Sequence, residues 1–92
     1  MIEKYTTDIA AQIGMKISKV LLVDGRKLGC NDYHLLNISS KGRRDGALVH
    51  QDDLVRLHNG DPTPRLELII RRTLLRLQEL DTAATITYDS GN

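Results

Sequence analysis

The stretch Thr63-Pro64-Arg65-Leu66-Glu67-Leu68-Ile69-Ile70-Arg71-Arg72-Thr73-Leu74-Leu75-Arg76-Leu77-Gln78-Glu79-Leu80 decides the fold. Thr63 suits an N-cap, and Pro64 suits the first helical position, where a missing N–H costs nothing. No Gly or Pro interrupts residues 65–80, and Leu, Arg, Glu and Gln are strong helix formers. At about 100° per residue, Leu66, Ile69, Ile70, Thr73, Leu74, Leu77 and Leu80 fall within an arc of roughly 140°. That arc is a core-facing stripe. Leu68 and Leu75 fall together near the opposite pole, flanked by Arg71, Arg72, Gln78 and Glu79. Glu67 precedes Arg71 by four residues, the favourable order for a helix ion pair.

A helix with a second apolar strip needs something to cover it. One solution is another segment of the same chain. The other is a second chain meeting Leu68 and Leu75, with Arg71 and Arg72 at the rim, where arginine is common. Two segments are internal candidates. Ile2, Tyr5, Ile9 and Ile13 recur at helical spacing before Gly14, which predicts an amphipathic helix over 2–13. The tail around Ile86 and Tyr88 is the other.

Between these helices the pattern turns extended. Ile17–Val23 reads as a strand, and its Val20-Leu21-Leu22-Val23 run lacks alternation, which predicts burial on both faces. Asp24-Gly25 signals a turn, after which Arg26–Leu28 is either a short returning strand or part of a longer connection. Tyr33–Ser39 reads as a strand with His34, Leu36 and Ile38 on one face. Residues 41–46 read as a turn-rich loop, and Ala47–His50 as the returning strand of a hairpin. Asp52 or Asp53 caps a short helix through Leu54, Val55, Leu57 and His58, which stops at Asn59-Gly60. Thr85–Tyr88 is either a fourth strand or a loose tail, and residues 89–92 are expected to be disordered.

This order predicts an α+β fold: a small antiparallel sheet of three to four strands, with an N-terminal helix and a long C-terminal helix packed on one face. Residues 1–82 form the domain, and 83–92 an edge strand or tail. With no Phe, no Trp and three Tyr, the core must be aliphatic. The same scarcity leaves few rings on which single-stranded nucleic acid bases would stack. The formal net charge of +1 is low for a dedicated duplex binder. One cysteine, Cys30, excludes an internal disulfide and points to a reducing, cytoplasmic setting. The longest aliphatic run, residues 20–23, is far too short to span a membrane.

Chemistry-bearing groups are sparse. Lys41, Arg43 and Arg44 stand beside Gly42 and Gly46, a combination able to grip phosphate or nucleic acid, or simply to keep a hairpin tip solvated. Arg76 joins Arg71 and Arg72 in a second basic cluster spread around the long helix. Cys30, His34 and His50 carry metal-ligand atoms but lack paired zinc-ligand spacing. Cys30 with His34 as a thiolate pair lacks any marked oxyanion site. Asp52-Asp53 fits helix capping better than acid–base work. No glycine pattern matches a P-loop or dinucleotide fingerprint. The expectation is a non-enzymatic protein-interaction module, without cofactor or metal, that self-associates through the long helix. Its partner is then a second copy or another protein, and no membrane is involved. Nucleic-acid or phosphate binding through the hairpin loop is the alternative.

Overall fold

A computed structural model describes the backbone of residues 1–90 and the side chains through Glu79. In chain order the elements are α1 (Ile2–Gln12), β1 (Lys19–Val23), a 3₁₀ turn (Gly25–Leu28), β2 (Tyr33–Ser40), β3 (Arg43–His50), α2 (Gln51–His58) and α3 (Pro64–Ser90). The strands form one antiparallel sheet in the order β1-β2-β3. Both α1 and α3 lie against one face of it, as the α+β reading predicts.

Local chemistry sets the element ends. Gly14 adopts φ 73°, and the Gly14 and Met15 N–H groups donate to the Ala11 and Ala10 carbonyls. That is the left-handed stop that only glycine adopts without strain, and it satisfies orphan carbonyls of α1. The β2–β3 connection is tighter than the expected loop over 41–46. Lys41 and Gly42 both take positive φ, 52° and 78°, the signature of a two-residue turn whose twist matches the flanking strands. Arg43 and Arg44 therefore belong to β3.

The β1–β2 connection is not a returning strand. Asp24 Oδ1 accepts from the Arg26 N–H at 3.0 Å and caps the 3₁₀ turn. Gly25 is buried so closely on β2 that a β-carbon would stand 1.5 Å from the Tyr33 carbonyl oxygen. Only glycine permits that approach. The Gly25 N–H donates to His34 Nδ1 at 3.0 Å, and His34 Nε2 bonds to Gln51 Oε1. His34 thus ties the turn, β2 and the start of α2 together.

Capping of α2 departs from expectation. His50 is the N-cap, and its Nδ1 accepts from the Asp52 N–H at 3.1 Å. Asp53 turns inward instead, is 4% exposed, and accepts from Arg65 Nε at 2.8 Å. This bond clamps α2 to the first turn of α3.

The long helix extends ten residues past the expected end at Leu80, to Ser90. Its backbone is helical over 85–88, so no fourth strand forms there, and it runs across the boundary drawn at residue 82. Nothing breaks it: the next glycine is Gly91, and elongating a formed helix costs little. The side chains of Ile86 and Tyr88, and the segment 91–92, lie outside the described residues.

The core is aliphatic throughout. Ile9 and Ala10 from α1, Leu36 and Ile38 from β2, Val49 from β3, and Leu66, Ile70, Leu74 and Leu77 from α3 are buried together. The predicted stripe of α3 is therefore the one that packs, with Thr73 at 1% exposure and Ile69 partly covered. Among the described residues, no helix is long and apolar enough to cross a membrane.

Candidate protein-interaction surfaces

The two layers leave two apolar surfaces uncovered, on opposite sides of the molecule. The first is the back of α3. Leu68 and Leu75 remain 48% and 47% exposed. The first helix does not cover them, because it lies along the flank of α3. There Tyr5 Oη and Thr63 Oγ1 are 2.9 Å apart, and Arg71 donates to Gln12 Oε1. Arg71 also stands 3.8 Å from Glu67. It is thus committed to α1 and its own helix, whereas Arg72 is exposed beside the leucine strip.

The second surface was not anticipated. The sheet's core face carries His34, Leu36, Ile38 and Ser40 of β2, all buried, so the alternate residues face away from the helices. Cross-strand register places Val23, Leu35 and Leu48 side by side across all three strands of that outer face. Leu21 precedes Val23 on β1, and Tyr33 precedes Leu35 on β2 with its ring edge against His50, 4.9 Å between centroids. Leu21, Tyr33 and Leu48 are 46%, 45% and 56% exposed. The expectation that the 20–23 run is buried on both faces is therefore wrong for the isolated chain: on the inner face Val20 packs against the core but Leu22 is 36% exposed, and on the outer face Leu21 is open. The unalternated run was the available signal, since it spends apolar residues on a side no helix reaches.

The remaining predicted groups separate. Arg43 and Arg44 are consecutive on β3 and so point to opposite faces, and Lys41 sits in the turn. They do not converge as an anion grip. Arg76 Nε donates to Asp45 Oδ2 at 2.7 Å, which anchors α3 to β3 and removes Arg76 from any basic stripe. His34 pairs with Val49 and His50 with Tyr33, so the two histidines lie on opposite faces, not across from each other. Cys30 is exposed. Among the described residues, no group of three His, Cys, Asp or Glu side chains is placed to hold a metal ion. An open cleft of about 470 Å³ lies between α1 and the α2–α3 linker, lined by Tyr5, Leu57, Asp61, Pro62 and Glu67 among others.

One perturbed group stands at the rim of the sheet. The Arg26 guanidinium and backbone N–H bond the Asp24 carboxylate and lower its pKa to about 2. Arg26 Nη2 lies 2.7 Å from Asp24 Oδ2.

These features define a two-layer α+β module with exposed apolar surface on each layer. The chain matches no protein-family model, no curated protein and no solved structure at a significant level.

Proposed function

We propose that this chain is a non-enzymatic protein-interaction module that self-associates, with the back of α3 as one docking strip. The observation that carries the proposal is the half-exposure of Leu68 and Leu75 on the side of α3 that α1 leaves bare. The two lie two helical turns apart, about 10 Å along the axis, which suits a facing helix. Arg72 at the rim supplies the guanidinium that interfaces favour.

The strip is small. A self-associated pair buries four half-exposed leucines, two from each copy, at roughly 1 kcal/mol each, which about offsets the ~4 kcal/mol minimum for lost rigid-body freedom. Self-association through α3 alone is therefore weak and concentration-dependent. Size-exclusion chromatography with light scattering tests it. The expected result is a mass that rises with concentration in the wild type and rises less in Leu68→Glu/Leu75→Glu. A wild-type mass that stays monomeric at high micromolar concentration, or a mass rise identical in the double variant, rejects the α3 strip.

A further inference from the structure

The outer face of the sheet is an uncovered apolar surface whose chemistry specifies an occupant. We propose that a second copy of this chain docks there, sheet to sheet, about a two-fold axis that runs the strands of the two copies antiparallel. The inference rests on the self-association reading but uses a different surface.

Charge polarity along the strands carries the orientation. At the end nearest the β2–β3 turn, Lys19, Ser39 and Arg44 form one cross-strand row of the outer face. That end is cationic. At the other end, the Asp52 carboxylate lies 3.7 Å from His50 Nδ1, and Asp32 is exposed just before β2; of the cations in the 3₁₀ turn at that end, Arg26 is paired with Asp24 and Lys27 is exposed beyond β1, so the carboxylates lie on the β2–β3 side. Between the two ends lies the apolar row Val23, Leu35, Leu48. Arg44 stands two rows from Leu48 on β3, and Asp52, in the first turn of α2, stands beside His50 at the opposite end of the strand. A two-fold axis through that row and across the strands brings each Arg44 toward the partner's Asp52. An axis along the strands would instead stack the cationic ends on each other, which is repulsive. Self-complementary ends about a closed two-fold axis are what an isologous dimer requires.

Area sets the strength. Two strands of eight residues and one of five, about 4.8 Å apart, present a plane of roughly 340 Å². That is less than half the ~800 Å² per partner of a standard interface, so the dimer is weak and reversible. Aligned sheets pack about 10 Å apart, which suits Val23, Leu35 and Leu48 meeting the same residues of the partner across the axis.

Sedimentation equilibrium of the full chain, carried out in the Leu68→Glu/Leu75→Glu background, isolates this face. The expected result is a dimer in that background, and a monomer when Leu21→Lys/Leu48→Lys is added with an unchanged circular dichroism spectrum. The gentler Leu48→Ser, at an exposed site, is expected to weaken the dimer at least several-fold with the same melting temperature. Orientation is tested by charge exchange. Arg44→Glu alone and Asp52→Arg alone each weaken the dimer roughly tenfold, and mixing the two restores a heterodimer near wild-type strength. A monomer in the Leu68→Glu/Leu75→Glu background, when the wild type dimerises, places the contact on α3 and overturns this inference while leaving the α3 strip standing. A dimer insensitive to Leu21→Lys/Leu48→Lys overturns it too, and failure of the mixture to re-associate overturns the antiparallel arrangement.

Discussion

Thr6 is fully buried in α1, and its hydroxyl finds no hydrogen-bond partner among the described residues. A buried orphan hydroxyl forfeits its bonds to water and gains nothing in return. Thr6→Val keeps the shape and removes the unmet group. It is expected to raise stability by about 1 kcal/mol, read as a higher urea midpoint at an unchanged slope. Nothing in the sequence marked Thr6, because a threonine beside an apolar stripe reads equally well as surface. Its burial is set by the packing of α1 against the rest of the fold. His50 is a similar case. Aspartate is among the preferred helix caps, which points to Asp52 or Asp53, yet the His50 imidazole takes that position and Asp53 turns inward to Arg65.

At the scale of elements, the helices were legible because a 3.6-residue repeat is a long signal. Leu66, Ile70, Leu74 and Leu77 are buried as their spacing required. The turns were less so. Residues 41–46 carry loop-forming residues throughout, but the hairpin needs only Lys41 and Gly42, and pairing with β2 draws Arg43 through Gly46 into the strand. The 3₁₀ turn after β1 depends on Asp24, and here pH is informative. Because the folded-state pKa of Asp24 is lowered to about 2 from 3.8, its ion pair contributes stability above about pH 4 that is lost as pH falls through 2. Asp24→Asn retains a cap oxygen but no charge. Its melting temperature is expected to fall less steeply than that of the wild type between about pH 4 and pH 2, and identical slopes would show that the Arg26 pair contributes nothing to folding.

For the whole molecule, the layer arrangement separates two kinds of leucine. Leu36 lies on the inner face of the sheet at 0% exposure, and Leu48 on the outer face at 56%. Leu36→Ala is expected to cost about 2–5 kcal/mol, because it removes contacts and leaves a cavity. Leu48→Ala in dilute, monomeric protein is expected to change stability by no more than about 0.5 kcal/mol, and its effect appears only in association. Chemical denaturation at low micromolar concentration, paired with sedimentation at high concentration, separates the two. Equal destabilisation by both substitutions in the monomer would mean that the outer face is packed within one chain.

Repeat and composition in the sequence by themselves determined the α+β class, the core stripe of α3, the inner face of β2 and an aliphatic core. Each is a local periodicity, written within a few turns of helix or a few residues of strand. Which apolar residues stay uncovered was decided only in three dimensions. Leu68 and Leu75 are open because α1 lies on the flank of α3 and not across its back. Leu21 and Leu48 are open because α1 and α3 occupy the same side of a three-stranded sheet. Periodicity fixes which residues share a face, but coverage of that face depends on where distant segments come to rest.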